Sequence, residues 1–113
     1  MENNNNFELI VTVVNRGYSD AVVTGARNAG ARGGTIIYGR GTSDNERDSI
    51  MGVSIEPEKE LIMTLAKSDK KAELMQAICE SGKIDEPCVG ICFSLPVTQV
   101  RGISSFKNKE KSD

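Results

Sequence analysis

Apolar and polar positions along the chain fall into short blocks that switch between two periods. Residues 7–14, Phe-Glu-Leu-Ile-Val-Thr-Val-Val, are rich in β-branched side chains and predict a strand, which residues 15–17 break. Ser19 or Asp20 then caps a helix running to about Asn28, with Val22, Ala26 and Ala29 on one stripe. Gly30, Gly33 and Gly34 end that helix in a tight turn, and residues 35–38, Thr-Ile-Ile-Tyr, predict a second short strand. Residues 39–51 show no apolar periodicity and predict a long mobile loop, which inside a compact domain is a functional or disordered segment. Extended structure resumes over residues 52–66, interrupted near Pro57, with Leu61, Met63 and Leu65 alternating with Glu60, Ile62 and Thr64. Ser68 or Asp69 opens a second helix with Leu74, Met75, Ile78 and Cys79 at amphipathic spacing, and Gly82 closes it. After a turn at residues 85–87, Val89, Ile91, Phe93 and Leu95 alternate through another strand, and a short final strand over residues 97–103 follows Pro96.

Strand, helix, strand, loop, strand, helix, strand is two βαβ halves, which predicts an α+β ferredoxin-like domain: an antiparallel sheet with both helices on one face. The first predicted strand adds a constraint. Leu9, Val11 and Val13 make one of its faces apolar and Ile10 and Val14 the other, yet two helices cover only one. The second apolar face predicts burial against further copies of the chain. The expected organisation is a disordered segment over residues 1–6, one domain over residues 7–103, and a charged, apolar-poor tail over residues 104–113.

Composition narrows the function. At 113 residues the chain fits a single domain. A net charge of −2 and 4% aromatic residues without tryptophan argue against nucleic-acid partners. No apolar run is long enough to cross a bilayer, so no direct membrane insertion is expected. The first six residues are polar and unlike a secretory signal, and the three cysteines show no disulfide-framework spacing, which predicts reduced thiols in a cytoplasmic protein. Cys88 and Cys92 are expected on one strand face, as core or interface thiols or as a metal or redox pair. Histidine is absent, which removes the commonest general base and metal ligand, so no catalytic residue and no metal site is assigned and the expected role is not enzymatic.

Five stretches, in order, resemble the PII signal-transduction family, that of the nitrogen regulatory protein PII and PII-like proteins. They are Gly30-Ala31-Arg32-Gly33-Gly34-Thr35, Gly39-Arg40-Gly41-Thr42, Ile55-Glu56-Pro57-Glu58-Lys59-Glu60, Ser81-Gly82-Lys83-Ile84, and Gly90 through Val97. The resemblance implies a homotrimer whose sheets face inward and whose inter-subunit clefts take an adenine nucleotide (AMP, ADP or ATP), in the family often with 2-oxoglutarate and magnesium. It implies a T-loop over residues 39–51 that docks on a membrane transporter or metabolic enzyme through Ser43, Asp44, Asn45, Glu46, Arg47 and Asp48, and a B-loop over residues 82–90. Its nucleotide-binding positions fall on Thr35, Gly39, Arg40, Gly41, Thr42, Lys59, Gly90 and Arg101. Glycine there admits backbone N–H groups to phosphates, and the arginines supply charge-assisted contacts.

This chain also departs from the family. Gly90 stands where the family has a phosphate-binding lysine, and Ile103 where it has one of two arginines. Each lost charged contact removes about 1.5–3 kcal/mol, which points away from tight ATP binding and toward AMP, ADP or another small anion. The loop has no tyrosine for uridylylation and residues 39–42 lack the family's 2-oxoglutarate-binding glutamine, so a divergent regulator is expected. The alternative is a trimeric scaffold or metal-responsive protein of the same fold that has lost nucleotide binding.

Overall fold

A computed structural model describes residues 6–42, 49–50, 53–54 and 57–103. The elements are β1 (Phe7–Asn15), α1 (Ser19–Asn28), β2 (Thr35–Arg40), β3 (Ser49–Ile50), β4 (Val53–Ser54), β5 (Glu58–Lys67), α2 (Lys71–Ser81) and β6 (Gly90–Val97). Four strands form one antiparallel sheet in the order β2-β5-β1-β6, and β3, at the end of the segment expected as the loop, pairs with β4 just beyond it as a separate two-stranded ribbon. The ferredoxin-like architecture is therefore present.

The core lies between the helices and one side of the sheet. Ile10, Thr12 and Val14 of β1 are fully buried, in register with Thr64, Ile62 and Glu60 of β5. Val22 and Ala26 of α1 and Leu74 and Ile78 of α2 close over them. The two helices cross where Gly25 meets Ser81. A Cβ on Gly25 would stand 2.5 Å from the Ser81 Cβ, and the Ser81 hydroxyl donates to the Ala21 carbonyl at 2.8 Å. Helix α1 stops in a Schellman arrangement: Ala31 N–H donates to Ala26 O, Gly30 N–H donates to Arg27 O, and Gly30 takes φ +107. A short 3-10 turn at Ser68–Lys70 precedes α2, so Ser68 and Asp69 lie in that turn and not in the α-helix itself.

The alternation in β5 has a surprising sense. Its mixed face, Glu60, Ile62, Thr64 and Ala66, is buried beneath the helices, whereas the wholly apolar Leu61, Met63 and Leu65 point away from them. In register with these three lie Leu9, Val11 and Val13 of β1, and across β1 lie Ile91, Phe93 and Leu95 of β6. Ile37, Ile91, Phe93 and Leu95 are between 41% and 58% exposed on this helix-free face. The second apolar face read from β1 is thus real and extends over the whole sheet.

Two expectations need correcting. No strand forms over residues 98–103. Pro96 is absorbed into β6 opposite Glu8, because β6 is an edge strand and a proline on its outer side breaks no ladder bond. Cys88 does not share a face with Cys92: it precedes β6, is exposed and takes φ +66, while Cys92 sits opposite Thr12 on the helix-facing side.

Candidate functional site

At one end of the sheet β1 and β2 finish while β5 and β6 begin. Four connections therefore converge there: the β1–α1 turn, the base of the loop after β2, the approach to β5 and the turn before β6. Beside the first three opens a hollow of about 390 Å³, continuous with solvent and lined by Arg16, Tyr38, Gly39, Glu58, Lys59 and Glu60. That is the size range of small-molecule sites.

The charged residues of this hollow are organised by the strand register. Asn15 lies opposite Lys59, and the Lys59 ammonium donates to Asn15 Oδ1 at 2.6 Å. Arg16 pairs with Glu58 at the exposed rim, and the hydrogen bond and charge of Glu58 hold the guanidinium more firmly protonated. Glu60 points inward and is only 6% exposed. Its Oε1 accepts the N–H groups of Gly17 and Ser19, both at 3.1 Å, so a strand carboxylate caps the start of α1. Burial alone pushes the Glu60 carboxyl up, but the Ser19 hydroxyl, these two N–H donors and Arg16 outweigh it and hold the group below its ordinary value.

The nucleotide-binding positions expected from sequence divide into two sets. Gly39, Arg40, Gly41, Thr42 and Lys59 are brought together: Gly39 is opposite Lys59, Arg40 opposite Glu58, and Gly41 N–H donates to Pro57 O at 2.8 Å. Gly90 is at the same end of the sheet but on the far strand, three strand spacings or about 14 Å from Tyr38. Thr35 begins β2 opposite Met63 and is five residues, about 16 Å, from Arg40. Arg101 is exposed and follows Val97, whose register partner Phe7 marks the opposite end. A single chain does not bring Arg101 or Thr35 to the hollow. Ser43, Asp44, Asn45, Glu46, Arg47 and Asp48 lie outside the described residues.

The glycines differ in why they are there. Gly90 is packed so tightly on the Val13 carbonyl and Val14 that no side chain fits, and a Cβ on Gly41 would meet the Lys59 stem at 2.8 Å. Gly39 has open space where its Cβ would be, so no packing contact among the described residues demands glycine there. Sequence reasoning passed over Asn15, Arg16, Glu58 and Glu60. A signal existed for Glu60: it occupies the same phase of β5 as Ile62, and a carboxylate in a core phase must have donors waiting for it.

Among the described residues the three cysteines do not gather at one place. Cys79 and Cys92 lean on the helix-facing core, and Thr12 Oγ1 lies 3.5 Å from Cys92 Sγ. Burial, and then Cys92 and Asp85, push the Cys79 thiol up to about 11. Among the described residues no group of three or more Cys, Asp or Glu is placed to hold a metal ion.

No family model matches this sequence. No curated protein matches it either. Solved structures do: the crystal structure of Arabidopsis thaliana PII bound to citrate superposes with a TM-score of 0.69 over 88% of this chain and 82% of that one, at 22% identity. The chain has the PII fold. The superposition rests on backbone path, since fewer than one aligned residue in four is shared. It agrees with the sheet and helix arrangement. Among the described residues no helix is long and apolar enough to cross a membrane.

Proposed function

We propose that this PII-like chain is a regulatory protein that assembles as a homotrimer through its helix-free sheet face and holds a small effector in the clefts between copies. The observation that carries the reading is that face. Ile37, Ile91, Phe93 and Leu95 stand 41–58% exposed on a sheet side with no helix, a large apolar surface that a soluble chain covers with its own copies. Assembly also supplies what one chain lacks, because Arg101 leaves the sheet at the end opposite Gly39 and reaches such a hollow only from a neighbour. The effector is a small anion, an adenine nucleotide first. A polycarboxylate is the next candidate, since the PII structure to which the fold is similar was crystallised with citrate. Were magnesium to accompany the effector, Glu58 at the rim of the hollow would be the carboxylate to hold it, in exchange for its pairing with Arg16, and the ion would supply positive charge toward an anionic effector. Occupancy at the base of the connection after Thr42 changes the chain's fit to a protein partner, a metabolic enzyme or a membrane transporter. The role is binding and not catalysis, in a cytoplasmic setting.

Titration calorimetry with AMP, ADP, ATP and citrate tests this: saturable heat with at least one is expected, and none with any of the four defeats it. A second reading, a trimeric scaffold that has lost nucleotide binding, is favoured by two observations. Lys59 is already engaged by Asn15, and Gly90 is required by packing against Val13, so neither residue is free to be explained by phosphate. A trimer in solution that binds none of the four ligands is the signature of that reading.

A further inference from the structure

A line of contacts runs sideways across the loop end of the sheet. It starts at Gly41, whose missing side chain leaves room for the Lys59 stem: Lys59 Cε and Cγ would lie 2.8 and 3.3 Å from a Cβ there. The Lys59 ammonium donates to Asn15 Oδ1 at 2.6 Å, and the other half of the same amide donates from Nδ2 to the Cys88 carbonyl at 2.8 Å. Ammonium only donates and carbonyl only accepts, so the two partners fix which way the Asn15 amide faces. The backbone beneath is also tied, Asn15 N–H donating to Val89 O at 3.2 Å. At the receiving end Cys88 holds φ +66, a conformation that a non-glycine residue keeps only when its surroundings impose it.

We propose that Asn15 is a positioning residue that couples the base of the loop after β2 to the turn before β6. A displacement at Gly41 moves the Lys59 stem, turns the Asn15 amide, and shifts the carbonyl of Cys88 and with it the backbone entering β6 at Gly90. Asparagine suits this place because one planar group offers an acceptor on one side and a donor on the other. Aspartate would keep the first link and lose the second. The coupling matters for function because it rests on the reading given above, in which these two connections flank effector clefts. Contact made at either one is then felt at the other, some 14 Å away across the sheet.

Backbone amide spectra of the full, effector-free protein test the coupling without any ligand. Gly41→Ala places a methyl against the Lys59 stem and is expected to shift the amide resonances of Cys88, Val89 and Gly90. Gly39→Ala, into open space, should leave those three unmoved. In an Asn15→Asp background the response at residues 88–90 to Gly41→Ala should be lost. Lys59→Met, which keeps the stem and removes the ammonium, should abolish it independently of how well the aspartate variant folds. The inference is overturned if Gly41→Ala leaves residues 88–90 unchanged, or if they respond equally with Asn15 or Lys59 replaced. Calorimetry with ATP on the wild type separates this from the effector reading: absence of heat removes the nucleotide while the amide response stands.

Discussion

Glu60 shows how a single residue can be expensive to bury and still be required. Its carboxylate occupies a core position because the N–H groups of Gly17, just before α1, and of Ser19, at its first residue, have no intrahelical acceptor, and the strand brings the acceptor to them. Replacing it by alanine strips two N–H donors of their partner, and a loss of about 1–2 kcal/mol in urea unfolding at pH 7 is expected. Because the folded-state pKa lies below its ordinary value of 4.5, the contribution is full above that value and is lost as pH falls through the folded one. The stability gap between wild type and Glu60→Gln should therefore narrow as pH falls below 4.5, and a constant gap would show that the carboxylate charge is not what caps α1. Cys79 has the opposite sign. Its thiol titrates near 11 instead of 9.0, so the folded state favours the protonated form, and stability should decline as pH rises from about 9 toward 11. In thiol labelling at pH 8, the exposed Cys88 should react first and Cys79 last.

Among the elements, the glycines separate packing from ligand space. Gly90 enters β6 directly against the Val13 carbonyl, which is backbone and cannot swing aside. Gly90→Ala should cost about 1–3 kcal/mol by forcing β6 away from β1. Gly39→Ala, at the end of β2 with open space around it, should change stability by less than about 0.5 kcal/mol and act only on effector binding. Comparing thermal melts with titrations of the two variants checks both statements. Strand and helix positions were legible in the sequence: α1 spans Ser19–Asn28 as its stripe predicts, although Tyr18, and not Ser19 or Asp20, stands at its N-cap, and β1 covers its β-branched run. Less legible was the end of the chain's last strand, because Pro96 reads as a stop until its position on a sheet edge is known.

For the whole molecule, the helix-free face carries the proposed assembly. Phe93 lies near the middle of β6 on that face, in register with Val11 of β1 and 41% exposed. Phe93→Asp places a charge where three copies would meet and should shift sedimentation from trimer to monomer while leaving the helix-side core intact. A monomeric wild type at working concentration would remove the shared clefts. Composition and periodicity by themselves determined the order of the four sheet strands and two helices, the two apolar faces of β1 and the absence of histidine chemistry, since these follow from local side-chain chemistry and a repeat of two or 3.6 residues. Only the tertiary structure decided which face of β5 the helices cover, that Glu60 caps a helix forty residues away, and that Asn15 and Lys59 stand between two distant turns. Those relations are set by strand register and chain crossing, which bring together residues whose separation along the chain carries no local signal.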